Sequence, residues 1–115
     1  MRKARVTSPH LNDQEEEQMR PSRFLGYNRD TLGMHALQKE MFDVAESQFR
    51  RATYLNPYEP RFKQHLAWAL YKRGKYSEAR RFILEALDQK PHDEDNRYIL
   101  SKVEDKIETG LTAAH

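Results

Sequence analysis

The fold is decided by residues 60–93, PRFKQHLAWALYKRGKYSEARRFILEALDQKPHD. They match residues 26–59, GYNRDTLGMHALQKEMFDVAESQFRRATYLNPYE, without a gap at a constant offset of 34 residues. The matched positions keep their size and polarity: Leu32 with Leu66, Gly33 with Ala67, Phe42 with Tyr76, Ala45 with Ala79, Phe49 with Ile83, Ala52 with Ala86 and Pro57 with Pro91. Similarity at a fixed period predicts one supersecondary unit that is repeated and stacked.

Each unit is predicted to contain two helices. In the second copy, apolar residues at helical spacing place these helices over about 60–73 and 77–89. Gly74 is expected to end the first helix, because glycine adopts the left-handed conformation at little cost. Ser77 is expected to cap the second helix, and Pro91 to close the unit.

The first copy follows the same logic, with helices predicted over about 29–40 and 44–56. Asp43 is followed three residues later by Glu46, which is the spacing of a capping box and predicts a helix start. Pro57 predicts where the second helix ends, since proline cannot continue a helix and restricts the residue before it.

Residues 94–108 begin a third copy and stop halfway through it. Their apolar residues form a narrow stripe: Leu100, Val103 and Ile107. The remaining positions are mostly charged, which predicts a helix that covers the end of the stack and keeps a solvated outer face. Gly110 is expected to end this helix, and residues 109–115 to form a frayed tail.

Residues 1–24 are polar and lack apolar periodicity, so we expect a disordered or weakly ordered segment. The alternative is a peptide that folds back into a groove of the repeats. Met1-Arg2-Lys3-Ala4-Arg5 begins like a signal peptide, but no apolar segment follows it. The predicted protein is soluble and cytoplasmic.

Composition excludes several kinds of chemistry. The 115 residues include no cysteine, which removes disulfides and thiolate chemistry. The formal net charge of +2 lacks the strong positive bias typical of nucleic-acid binders. The five histidines have no metal-ligand spacing, and no nucleophile elbow or phosphate-cradling glycine loop is present. We therefore expect no enzyme activity, cofactor, metal or small-molecule substrate.

The repeats resemble the tetratricopeptide repeat. The second copy carries the family's signature residues: Leu66, Ala67, Leu70, Gly74, Tyr76, Ala79, Ile83, Ala86 and Pro91. The first copy departs at Ala36, where the family prefers an aromatic residue, and at Glu40, where it usually has glycine. The resemblance implies an all-α fold, in which antiparallel helix pairs stack as a short right-handed α-solenoid over residues 25–108. Its units are two full repeats, 26–59 and 60–93, and the capping helix 94–108.

The resemblance also implies a concave groove lined by the first helix of each pair, which usually holds a peptide. The corresponding positions here are Tyr27, Asp30, Met34, Leu37, Gln38, Arg61, Gln64, Trp68, Tyr71, Lys72, Asp95, Tyr98, Lys102, Asp105 and Lys106. Trp, Tyr and Arg are the residue types that most often dominate binding energy. The alternative is that Trp68 and Tyr71 pack against the neighbouring helix, and that Tyr98 belongs to the core.

Family members that grip the C-terminal carboxylates of chaperones carry Lys, Asn and Arg at set groove positions. The residues at those positions here are Asp30, Met34, His65, Asp95 and Ile99, and none matches. The mixed groove instead favours a partly apolar peptide or helix.

The leading hypothesis is a non-enzymatic adaptor that binds a peptide or helix in this groove. Size and family habit suggest a small bacterial chaperone of a secretion or assembly system. One alternative is a structural subunit that self-associates through its exposed ends, since stacks generally need about three repeats for stability. A further alternative is a nucleic-acid-binding module with an outer arginine strip formed by Arg50, Arg51, Arg80 and Arg81.

Overall fold

The computed structural model describes residues 13–17 and 19–113. These residues form helices and no strand. The helices are α1 (Asp13–Glu17), α2 (Tyr27–Gln38), α3 (Phe42–Leu55), α4 (Pro60–Lys72), α5 (Tyr76–Gln89) and α6 (Glu94–Ala113). The predicted all-α fold is confirmed, and each repeat contributes one helical hairpin.

The helices pack in chain order. Helix α2 packs on α3, α3 on α4, α4 on α5 and α5 on α6. Each short connection therefore reverses the direction of the chain, and each helix lies antiparallel beside the helix before it. Alternate helices also touch, as α2 contacts α4 and α4 contacts α6. The first helices of the units therefore share one face of the stack, as a tetratricopeptide-like solenoid requires.

Small residues allow this close packing. Ala45, Ala79, Ala52 and Ala86 are all fully buried at the repeated positions. Large apolar side chains fill the spaces between the helices: Phe49, Phe62, Leu66, Leu70, Ile83 and Val103. Because helices approach to about 8–10 Å only where the crossing residues permit it, the repeated alanines set the spacing of the stack.

Two predicted helix caps are wrong by two residues, and α2 also begins two residues earlier than predicted, at Tyr27. The residue before α3 is Met41, and Asp43 lies inside the helix with Oδ1 accepting from the Val44 N–H at 2.8 Å. The residue before α5 is Lys75 rather than Ser77. In both turns a backbone hydrogen bond reaches back five residues, from Met41 to Ala36 and from Lys75 to Leu70. That bond closes the preceding helix tightly, and the next helix begins at once.

The C-terminal helix is longer than predicted. Helix α6 continues to Ala113, and Gly110 lies within it rather than ending it. The tail prediction is therefore wrong for residues 109–113, while residues 114–115 lie outside the described part. An exposed glycine costs only about 1 kcal/mol in a helix interior, so one such residue does not stop a helix.

The N-terminal segment differs from its prediction over residues 13–17 and 19–24. Glu16 is only 4% exposed. The Ser22 N–H donates to the Leu55 carbonyl at 2.9 Å, and the Asn56 amide donates to the Arg23 carbonyl at 3.2 Å. These contacts place the segment against the first hairpin. Residues 1–12 and Gln18 lie outside the described residues.

Candidate functional site

A cavity of about 280 Å³ opens on the face shared by α2, α4 and α6. Each of the three helices contributes to its lining, which consists of Met34, Leu37, Gln64, His65, Trp68, Asp95, Tyr98 and Ile99. Most of the wall is apolar or aromatic, and all of it comes from the first helices of the units. The cavity thus lies where the resemblance placed the groove.

Aromatic rings form the central part of this face. The indole of Trp68 stacks on the ring of Tyr71, with centroids 5.1 Å apart and planes 18° apart. Tyr98 approaches Trp68 from α6 at a centroid distance of 6.4 Å. Tyr71 also packs against Tyr76 of its own hairpin, at 5.8 Å. Tyr71 therefore packs against both Trp68 and Tyr76 and fixes the position of the indole. Tyr98 is 56% exposed and does not belong to the core.

Two lysines lie over these rings. The Lys72 Nζ is 5.0 Å from the centroid of the Trp68 ring, and the Lys102 Nζ is 5.7 Å from that of Tyr98. Each lysine follows its aromatic residue by four positions, which is about one helical turn. Positive charge is thus held at one edge of the aromatic surface by cation–π contacts.

Asp30 and His65 form a partly buried contact between α2 and α4, and of the two only His65 lines the apolar cavity. The His65 Nδ1 and the Asp30 Oδ1 are hydrogen-bonded at 2.7 Å across α2 and α4. Asp30 is buried, and the His65 ring lies 5.4 Å from the Phe49 ring. The predicted groove residue Asp30 is therefore engaged between the helices, where its carboxylate is not presented to a ligand.

Gln64 holds the start of α6. Its amide donates to the Asn96 Oδ1 at 2.7 Å and to the Asp93 Oδ1 at 3.3 Å. The same Asp93 oxygen accepts from the Asn96 N–H at 2.9 Å, which caps α6. Gln64 lines the cavity as predicted, but its donors are already used within the fold.

Tyr27 and Arg61 lie at the other end of the face, where α2 and α4 begin. The Tyr27 hydroxyl donates to the Glu59 Oε1 at 2.8 Å, and this hydrogen bond raises the pKa of Tyr27. The Arg61 guanidinium lies 5.7 Å from the Tyr27 ring centroid. These two predicted site residues contact each other and do not line the apolar cavity.

A second cavity of about 400 Å³ adjoins this end. Its lining is mostly polar and carries both signs of charge: Glu59, Pro60, Arg61, Gln64, Lys90, Asp93, Asp95 and Asn96. Gln38, Asp105 and Lys106 are exposed and line neither cavity.

His65 and Ile99 line the apolar cavity, although from the sequence they were considered only as carboxylate-binding positions and were not included among the expected peptide contacts. They occupy the same repeat position, 34 residues apart, directly after Gln64 and Tyr98. A wider helical stripe along α4 and α6 would have included them.

Three of the four outer arginines are paired with acidic groups. Arg50 pairs with Glu46 at 2.8 Å and with Glu78 at 2.7 Å. The other contacts along this strip are Arg51 with Glu16 at 2.7 Å, Arg80 with Glu104 at 3.2 Å and Arg81 with the Phe82 ring at 4.4 Å. A surface whose cations are paired in this way is a poor site for phosphates.

The family model for the tetratricopeptide repeat matches residues 36–103, more than half of the chain. The chain therefore belongs to the tetratricopeptide repeat family. Domains of this family bind other proteins or peptides and are generally scaffolds rather than enzymes. No curated protein in the comparison matches the chain. Over the described residues, no helix is both long and apolar enough to span a bilayer.

Proposed function

We propose that this chain is a non-enzymatic adaptor that binds a peptide or helix of another protein along α2, α4 and α6. The observation that carries the proposal is the apolar cavity between these helices, walled by Trp68 and Tyr98. Exposed aromatic side chains beside a concave apolar site are typical of interaction hot spots.

The open shape of the cavity supports a peptide ligand over an enclosed small molecule. Sites for whole drug-sized molecules usually measure about 300–1,000 Å³ and enclose most of the ligand. The cavity here, at about 280 Å³, is close to this range in volume, but it is open to solvent and does not enclose a ligand. It suits one apolar side chain of a longer segment, whose neighbours extend over the surrounding rings.

The test is a selection of peptides from a random library displayed on phage, with the full chain as bait. Binding of each selected peptide is then followed by the fluorescence of Trp68, the only tryptophan. We expect Tyr98→Ala to weaken binding at least about tenfold, because large hot-spot truncations cost 2 kcal/mol or more.

Tyr54→Ala is the matched control, since Tyr54 is an exposed aromatic residue of α3 outside the cavity lining. This variant should bind with unchanged affinity. Equal binding by wild type and Tyr98→Ala, together with selected peptides that do not alter Trp68 fluorescence, would contradict the proposed function.

We further propose a narrower role as a small bacterial chaperone of a secretion or assembly system, acting in the cytoplasm. Membership of a family of protein-binding scaffolds supports this role. It is tested by capturing a partner from the native host with the wild-type chain and with Trp68→Ala. A secretion or assembly subunit lost only in the variant would support it; a captured partner of another kind would contradict it.

Self-association is the second candidate, and the exposed N-terminal end of the stack favours it. Leu32 is 46% exposed, whereas Leu66 at the same position of the next repeat is 1% exposed. Met41 and Val44 are also exposed. Sedimentation over a range of concentrations tests this candidate, and a chain that stays monomeric at high concentration would contradict it.

A further inference from the structure

We infer that the groove selects a segment with one large apolar side chain and with Asp or Glu on one side of it. The carboxylates would lie beside Lys72 at the C-terminal end of α4 and Lys102 in the middle of α6. This inference rests on the proposed function and deepens it by naming the chemistry of the ligand.

The first argument is the matched placement of the two lysines. Trp68 and Lys72 on α4 have the same spacing as Tyr98 and Lys102 on α6. The two helices run in the same direction because one helix separates them in the stack. Both ammonium groups therefore lie on the same side of the aromatic walls, within 5.7 Å of a ring centroid.

The second argument is that these charges are uncompensated. Among the described residues, neither Lys72 nor Lys102 has a carboxylate within ion-pairing distance. Lys63 and Lys75, by contrast, are paired, with Glu85 at 3.5 Å and with Glu46 at 3.2 Å respectively. A ligand carboxylate would supply the missing partner through a charge-assisted hydrogen bond.

The third argument is the distribution of charge along the groove, which determines the orientation of the bound segment. At the opposite end of the groove, acidic Glu59, Asp93 and Asp95 alternate with basic Arg61 and Lys90. Beyond the lysine edge, α6 carries exposed Asp105 and Lys106, which have opposite charges. Beside the aromatic walls, Asp95 lines the cavity near the start of α6, whereas Lys72 and Lys102 lie one helical turn beyond the aromatic rings, so a ligand's acidic side is expected at the lysines.

The N-terminal residues of the chain itself do not fit this description. Residues 1–12 contain Arg2, Lys3 and Arg5 and no acidic residue. In the acidic run that follows, Glu16 is already held by Arg29 and Arg51. Charge complementarity therefore favours a segment of another protein as the occupant.

The test extends the phage selection to a charge-reversed bait, Lys72→Glu with Lys102→Glu. The matched control is Lys39→Glu with Arg81→Glu, which changes the net charge equally at exposed positions outside the cavity lining. Circular dichroism checks that every bait is helical.

We expect wild type and control to select peptides with one apolar anchor flanked on one side by Asp or Glu. Such a peptide should bind the charge-reversed bait at least about tenfold more weakly, since hydrogen bonds between charged groups are worth more than neutral ones. The same peptide with its Asp and Glu replaced by Lys should regain affinity for that bait.

The outcomes distinguish a failure of this inference from a failure of the proposed function. Peptides that need Trp68 and Tyr98 but show no acidic enrichment, or bind the charge-reversed bait equally well, would overturn the inference and leave the groove intact. Acidic peptides that bind without an apolar anchor would also overturn it. Selection that yields no peptide dependent on Trp68 or Tyr98 would overturn the proposed function and this inference together.

Discussion

Glu40 and Gly74 occupy the same position in successive repeats and both have a left-handed backbone, with φ of 59° and 79°. Each follows the C-cap of the first helix in its unit. Glycine adopts this conformation freely, whereas a residue with a side chain is strained by about 1–2 kcal/mol. The turn of the first repeat is therefore retained at a cost, because the helices on both sides impose it.

Replacing Glu40 by glycine should stabilise the chain. We expect Glu40→Gly to raise the free energy of unfolding by about 0.5–1 kcal/mol, after allowing for the greater freedom of glycine in the unfolded state. Urea unfolding followed by circular dichroism measures the change. Lys39→Gly is the control, since Lys39 has a φ of −90° and should lose stability. A loss of stability in Glu40→Gly would contradict this account of the turn.

Gly33 should not tolerate a side chain. A Cβ at this position would lie 2.6 Å from the Phe49 Cδ1, and both residues are buried. We expect Gly33→Ala to lower the free energy of unfolding by about 1–3 kcal/mol through overpacking. In Gly110→Ala the new methyl group meets nothing within 4 Å, and the better helix propensity of alanine should stabilise α6. Equal effects of the two changes would show that α2 and α3 are not closely packed.

Glu46 should make the free energy of unfolding depend on pH in the acidic range. Its side chain is 7% exposed and pairs with Arg50, Arg73 and Lys75. Burial alone would raise the pKa of Glu46, but hydrogen bonds from Arg73, Arg50 and Lys75 together lower it below the usual 4.5. Its contribution to stability is thus complete above about pH 4.5 and is lost as the pH falls through the lower, folded-state pKa.

Comparing Glu46→Gln with wild type isolates this contribution. We expect a loss of about 2 kcal/mol at neutral pH, since hydrogen bonds to charged groups are worth about 1.5–3 kcal/mol. The difference between the two proteins should shrink below pH 4.5. Glu104→Gln, whose ion pair with Arg80 is exposed on both sides, should cost less than about 1 kcal/mol. A Glu46 effect that stays constant down to acid pH would contradict the assignment.

Glu16 should hold the N-terminal segment on the first hairpin. The Arg29 guanidinium donates to both of its oxygens, at 2.8 and 3.0 Å, and Arg51 donates at 2.7 Å. We expect Glu16→Gln to speed amide hydrogen exchange over residues 19–24, whereas exposed Gln14→Ala should leave it unchanged. Peptide binding in the groove should be unaffected by either change, because these arginines do not line the cavity. Unaltered exchange in Glu16→Gln would show that the ion pairs do not hold the segment.

Much of the architecture could be predicted from the sequence, because each position of one repeat can be compared with the equivalent position of the other. Leu66, Ala79 and Ala86 have counterparts 34 residues earlier, so local pattern and long-range packing agree at each of these positions. The helix starts were predicted less accurately. The backbone hydrogen bond that closes each turn does not involve Asp43 or Ser77, so their side chains do not indicate where the next helix begins.

The ionic contacts could not be read from the sequence. Glu46 has the spacing of a capping-box residue and Glu16 lies in a segment predicted to be disordered or weakly ordered, yet each is buried against arginines distant in the chain. Only the stacked fold brings these groups together. The resemblance predicted Trp68 and Tyr98 as groove residues, and both line the apolar cavity. The use of Gln64 to hold α6 depends on Asp93 and Asn96 in the neighbouring unit, which no local pattern indicates.

The central claim is that the face of α2, α4 and α6 receives the ligand. The most direct test is a map of amide chemical-shift changes when the tightest selected peptide is added to the isotope-labelled chain. The account predicts the largest changes at Met34, Trp68 and Tyr98, and little change at Tyr54 and Leu84 of the outer helices. Changes concentrated on α3 and α5, with the Trp68 indole unmoved, would contradict it.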